Sequence, residues 1–203
     1  MQRAYSIGFA SKVLRCAALV GIFVCGARAY AATDDHILLD VEVQGPEVTL
    51  DVDFIVQAMP QEIWAVLTDY DHAAEFISGL ERSVILSGTQ DTLLVSQKGS
   101  MGFGPFSVTF ETITEVQLTP YKTIRTRMVS GNMKKNQSTT LISQEATGTR
   151  VVHHLESIPD VWIPPIIGRI FIAHEAHIRF RQLVAEILRR NAARALIPRE
   201  PAD

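Results

Sequence analysis

Cysteine is almost missing. Of 203 residues only Cys16 and Cys25 are thiols, and both stand in the first 25 positions. A chain that loses that segment keeps no thiol, which excludes a disulfide scaffold, a cysteine nucleophile and a thiolate zinc site. Positive charge is also thin. Arg3, Lys12, Arg15 and Arg28 are the only charged residues before Asp34, so removing residues 1–31 takes the net charge from −3 to −7. A chain this acidic, without a long basic run, is unsuited to gripping a phosphate backbone, and nucleic acid is set aside as a partner. Long apolar runs are lacking too. The uncharged stretch Cys16–Ala27 has twelve residues, short of the roughly 20 that cross a bilayer core. With 47% hydrophobic residues against 20% charged, disorder is excluded, and the length suits one domain with an appendage.

The appendage is the beginning. Arg3, Lys12 and Arg15 precede the apolar stretch, and Ala29-Tyr30-Ala31 follows it with small residues spaced A-x-A. This order is that of a secretory signal. Residues 1–31 are therefore expected to be a signal peptide cleaved near Ala31, leaving residues 32–203 as a periplasmic domain. Cleavage after Ala29 and a retained membrane anchor are the alternatives; a lipoprotein at Cys25 is disfavoured by bulky Val24.

In the remainder, period-two alternation runs over about 37–57 and 81–157, with helical patterns at 60–79 and 164–195. Gly45-Pro46 divides the first pair of strands, and Pro60 stands where a first helical residue should. Two short helices are expected, over about 60–68 and 70–77, with Gly79 as a left-handed cap. Six more strands follow at roughly 82–88, 92–98, 105–118, 122–130, 136–145 and 149–157. Short connections between them favour antiparallel pairing. The last helix, Pro164 to about Arg194, is a rod of about 45 Å and the one element long enough to cover a sheet face. The fold class is α+β: a curved antiparallel sheet wrapped around a long C-terminal helix, with two short helices near the N-terminus.

Placed at 100° intervals from Ile166, the residues Ile170, Ala173, His177, Phe180, Val184, Ile187 and Leu188 form one apolar stripe on this helix. Glu175, Arg179, Glu186, Arg189 and Arg190 fall opposite. Small Ala173 and Ala176 in the first half, against bulky Phe180, Val184 and Leu188 in the second, predict a cavity over the first half. Side chains from the sheet filling that space is the alternative.

The segment Gln57–Ser78 (QAMPQEIWAVLTDYDHAAEFIS) resembles the opening motif of the START-like, or SRPBCC, superfamily, particularly its polyketide cyclase/coenzyme-Q-binding branch. The later order is similar as well: a sheet, then Gly148-Thr149-Arg150-Val151-Val152, then Ile163-Pro164-Pro165 leading into a long terminal helix. The resemblance covers about residues 48–190. It implies a helix-grip fold with a hydrophobic cavity between helix and sheet, binding lipids, sterols, quinones, polyketides or plant hormones. A minority of members are cyclases, aromatases or hydrolases, and no catalytic set is common to them, so the resemblance implies an apolar ligand rather than a reaction.

Individual residues add detail. His174 and His177 are spaced i, i+3 rather than the i, i+4 of a zinc helix, so neither metal nor cofactor is expected. His177, on the apolar stripe, either offers a hydrogen bond to a ligand or is a core histidine satisfied by the backbone. On strand 149–157 Val151, His153 and Leu155 share the face expected to point inward, with His154 and Glu156 on the other. Gly99, Gly102 and Gly104 lie between two strands, not in a dinucleotide fingerprint, and read as a hairpin. Trp162 precedes the long helix, where the resemblance places a pocket rim. There it serves as a lid, as a transient contact with a membrane surface, or as packing on the sheet's end.

The expected ligand-binding residues are His177, Ala173, Ile170 and Phe180 from the helix, Phe110, Val108 and His153 from the sheet, and Trp162 at the rim. No catalytic constellation stands out, and no G-x-S-x-G elbow is present. The expected function is binding of a hydrophobic small molecule for carriage or sequestration. A cyclase or hydrolase in the same cavity, with His177 or His153 as base, is one alternative. A non-catalytic module of the cell envelope is another.

Overall fold

The structure, a computed structural model, describes residues 37–103, 106–160 and 165–196. The expected signal segment lies outside the described residues. Two strands open the domain, β1 (Leu38–Gln44) and β2 (Glu47–Val56), joined at Gly45, whose φ of +59° suits the tight turn. Alternation on β2 sends Val48, Leu50, Val52, Phe54 and Val56 to one buried face, as a half-buried strand requires.

Helix α1 (Pro60–Leu67) begins with proline at its first position, and the Glu62 carboxylate accepts the Met59 N–H at 2.8 Å. Ile63 and Val66 are its buried pair. The second short helix is shorter than its sequence pattern. Tyr70–His72 form a 3-10 turn and only Ala73–Phe76, α2, is α-helical. Gly79 follows with φ +77° and turns the chain into the next strand.

The meander is β3 (Leu80–Gly88), β4 (Thr92–Phe103), β5 (Phe106–Thr119), β6 (Thr123–Gly131), β7 (Met133–Glu145) and β8 (Gly148–Pro159). All neighbours are antiparallel, in the order β1-β2-β8-β7-β6-β5-β4-β3. The chain thus crosses from β2 to the far edge through α1 and α2, then returns strand by strand until β8 pairs with β2. Helix α3 (Pro165–Ala195) packs against the inner face of this sheet, with β1, α1, α2 and β4 as neighbours. The expected α+β helix-grip architecture is what the chain adopts.

Two differences from the sequence reading matter for function. Strand β4 runs to Phe103 instead of ending near 98, because Gly99 remains paired opposite Phe110. The helix keeps most of its expected stripe in the core and widens it. Ala173, Phe180, Val184, Ile187 and Leu188 join the main apolar cluster with Val41, Leu50, Val52 and Phe54, and Ile172, Ala176 and Leu183 extend it to one side. Ile170, 58% exposed, and exposed His177 are the two stripe residues that stay outside this cluster, which corrects the stripe at those positions. Glu186, expected outside, is buried and held by Arg189 and Arg190 at 2.7 and 2.6 Å, and Arg190 also reaches Asp69 at 2.8 Å. Buried charges that are paired can occupy an inward lane that hydropathy alone assigns to apolar residues.

Candidate functional site

The inner face of the sheet is apolar at the β1–β2 end and polar across the middle. Successive rungs there place Ser83 beside Gln97, Thr126 beside Ser138 and Thr140 beside His153. Each pair is hydrogen-bonded, at 3.1, 2.8 and 2.8 Å. Alternation fixes this outcome: β8 turns Val151, His153 and Leu155 inward and His154 and Glu156 outward, as the spacing predicts.

His153 is the deepest of these groups. Its Nδ1 shares the hydrogen bond with Thr140 Oγ1, and its ring lies 5.3 Å from that of Phe180 on α3. Burial first, then the charges of His154 and Arg179, push its pKa down to about 4, so the imidazole is neutral near pH 7. Arg179, one residue before Phe180, reaches inward rather than outward. Its guanidinium carbon lies 5.9 Å above the ring of Phe110 on β5, and desolvation lowers its pKa while the Glu175 charge acts the other way. Tyr70, from the 3-10 turn, packs on Val95, Val116 and Ile124 together with Trp64. Burial raises its phenol above the ordinary value of 10.

These three groups share one condition. Among the described residues, none of the Tyr70 hydroxyl, His153 Nε2 and Arg179 guanidinium has a hydrogen-bond partner. Yet, among the described residues, the only sealed side-chain polar atom without a partner is Asn191 Oδ1. The three groups are therefore deep but not sealed, and each residue keeps some exposure. Such groups can donate hydrogen bonds to a carbonyl or carboxylate in surroundings of low polarity.

Of the residues expected at this site, His153, Phe180, Phe110, Val108 and Ala173 lie buried or half-buried between α3 and the sheet. Ile170 and His177 do not join them, and Trp162 lies outside the described residues. Tyr70 and Arg179 escaped the sequence reading. The signal that would have found Arg179 was present: the i+4, i+4, i+3, i+4 lane from Ile172 to Ile187 places it beside Phe180 on the inner side. Among the described residues no group of three or more His, Cys, Asp or Glu is arranged to hold a metal.

Two recesses lie elsewhere. One of about 340 Å³ sits on the outer face of the sheet between Arg125, Arg127, Glu115, His154 and Glu156, and one of about 560 Å³ lies beside Met59 and Thr147. Neither includes Tyr70, His153 or Arg179. The outward position of Arg125 and Arg127 is the one their alternation predicts.

The buried charges set the acid sensitivity. The depressed pKa of His153 means that the unfolded chain takes up a proton below about 6.5 that the folded imidazole refuses until about 4. The Glu186 carboxylate, held down by Arg189 first and also by Arg190, repeats this between its ordinary 4.5 and about 2. In both cases the stabilising effect is present above the unfolded value and lost as pH falls. His154 has the opposite sign, its pKa raised chiefly by Asp51, but it is more exposed and counts for less. Stability measured by urea unfolding is expected to decline in two stages on acidification. His153→Phe should flatten the upper stage and Glu186→Gln the lower; unchanged slopes in both variants would refute the assignment.

A sheet closed around one long helix, with a few polar groups enclosed among apolar walls, defines a START-like domain. The chain belongs to the family described as polyketide cyclase / dehydrase and lipid transport, whose model matches residues 56–178. It is thereby a domain of the hydrophobic-ligand-binding or cyclase-like kind. Solved structures of similar fold include the ZhuI aromatase/cyclase from Streptomyces sp. R1128, at 14% identity and TM-score 0.60, covering 71% of this chain and 95% of that one. A STAR-related lipid transfer protein from Xanthomonas axonopodis matches at 13% identity and TM-score 0.60, covering 74% and 98%. A START superfamily protein from Mycobacterium smegmatis matches at 13% identity and TM-score 0.57, covering 70% and 97%. At these identities the likeness is one of fold. No curated protein matches the chain.

Proposed function

We propose that the protein is exported and binds a hydrophobic small molecule, such as a lipid, quinone or polyketide-like compound, between its sheet and α3, for carriage or sequestration. The observation that carries the reading is the pair of deep polar groups with hydrogen-bonding capacity unused among the described residues, His153 beside Phe180 and Arg179 over Phe110. Polar groups held among apolar side chains with capacity to spare are suited to fixing the orientation of a ligand. Apolar burial at about 25 cal/mol per Å² would supply the affinity, and the polar groups the orientation. The export part of the proposal rests on the basic, apolar and A-x-A order of residues 1–31.

A cyclase in the same space is the second reading, favoured by a neutral imidazole beside a guanidinium. Its weakness is basicity. A general base works best with a pKa near the operating pH, whereas His153 is held at about 4. Binding is therefore preferred over proton abstraction.

Expression of the full chain followed by fractionation and native mass spectrometry tests both parts. The expected result is a periplasmic protein beginning near Ala32 that carries an extractable apolar adduct. An uncleaved chain in the cytosol would sink export. Absence of any adduct, together with failure to bind added lipids or aromatics, would sink carriage. Chemical turnover of the extracted compound would replace it with the enzyme reading.

A further inference from the structure

We propose that the ligand is an amphiphile ending in a carboxylate, and that Arg179 holds this group. The inference rests on the ligand-binding reading above and names the chemistry of that ligand's polar end. It comes from how α3 treats its inward charges. Arg190 is saturated, with Glu186 at 2.6 Å and Asp69 at 2.8 Å. Arg179, three turns earlier on the same helix, also reaches inward and, among the described residues, has no carboxylate within ion-pair range. Its surroundings are the face of Phe110 and the charge of Glu175 one turn away.

A guanidinium stays cationic in a protein, and a charge drawn partly out of water without an anionic partner is costly. Stacking over one aromatic ring offsets about 0.5–2 kcal/mol of that cost. The neighbouring groups do not supply the missing anion. His153, whose pKa the Arg179 charge helps to lower, is a neutral ring already sharing one hydrogen bond with Thr140. A cation held over an aromatic ring, with no acid in ion-pair contact among the described residues, is complementary to an oxyanion. It discriminates against amines and gains less from alcohols or esters. The planar fork of a guanidinium pairs two N–H groups with the two oxygens of a carboxylate. The walls, Phe110, Phe180, Ala173 and Val108, require the rest of the molecule to be apolar.

The test uses the full-length protein and matched probes read by calorimetry: dodecanoate, dodecan-1-ol and dodecyl phosphate, with 2-naphthoate and 2-naphthalenemethanol as an aromatic acid–alcohol pair. Wild type is expected to prefer at least one acid over its alcohol by about tenfold or more, the worth of one charged hydrogen-bond pair. Arg179→Gln should bring that ratio close to one while leaving the alcohol's affinity in place. Arg179→Lys should retain part of the preference, and Arg181→Gln, on the exposed face of the same helix, all of it. If Arg179→Gln does not fold, the acid preference of wild type and its partial retention in Arg179→Lys still decide the matter. Equal affinity for acid and alcohol overturns the carboxylate proposal and leaves the ligand-binding reading standing. Tighter binding of dodecyl phosphate than dodecanoate overturns the carboxylate in favour of a phosphate. No binding of any probe overturns the underlying reading itself.

Discussion

Replacing Phe180 by alanine is expected to cost about 3–5 kcal/mol of folding stability, the range for emptying a buried aromatic site. Phe180 is buried where three elements meet. Its ring lies edge-on to Phe54 of β2 at 5.9 Å and tilted against His153 of β8 at 5.3 Å. It is also the residue next to Arg179, so its position fixes the height at which the guanidinium enters the interior. Phe180→Leu should cost roughly half as much, because part of the volume remains. Denaturant midpoints give the magnitude, and a loss under about 1 kcal/mol would show that the sheet collapses onto the gap. The variant has a second readout. Water admitted beside His153 should raise its pKa from about 4 toward the ordinary 6.5, which imidazole resonances report directly.

The second large effect is expected from the smallest change, Gly99→Ala. A methyl group at Gly99 would collide with the carbonyl oxygen of Gly79 and come within 2.7 Å of the Phe110 ring. The carbonyl cannot yield cheaply, since it accepts the Ser100 N–H at 2.7 Å and belongs to a turn already at φ +77°. Either the turn after α2 lifts from β4, or Phe110 leaves its place beneath Arg179. Overpacking of this kind typically costs 1–3 kcal/mol, and more where backbone is the obstacle, so a loss of about 3 kcal/mol is expected. Gly99→Ala combined with Phe110→Ala should recover only the part due to the ring. A Gly99→Ala protein within about 0.5 kcal/mol of wild type would refute the described approach of the two chain segments.

Much of the fold was legible because strands half-buried in a curved sheet alternate strictly. Val151, His153 and Leu155 against His154 and Glu156 is such a case, and exposed Arg125 and Arg127 follow the same rule. Glycine misled once. Gly99 suggested the end of β4, whereas its missing side chain is what lets the strand continue under Gly79. The pairing of β2 with β8 could be anticipated only through the resemblance, since nothing local in either strand names its partner. The site was half legible. His153, Phe180, Phe110, Val108 and Ala173 were placed between helix and sheet, but His177 and Ile170 were placed there as well. A wheel that counts only hydropathy puts every arginine and glutamate outside. Glu186 and Arg190 neutralise each other inside and Arg179 enters alone, so the wheel found Ala173, Phe180, Val184, Ile187 and Leu188 but missed the inward charges.

The junction of β2 with β8 also determines when the molecule can be completed. The hydroxyl of Thr149 reaches the carbonyl of Ala58 across 91 positions of chain, so the opening hairpin is synthesised long before the strand that satisfies its free row of amides. Closure entropy is charged late and in one step, which places the protein among slow, non-local folders. Any product that stops short of Gly148 leaves β2 and β7 with adhesive borders and lacks the rod that would cover them. Truncated chains of this family member are thus natural clients for chaperones and proteases.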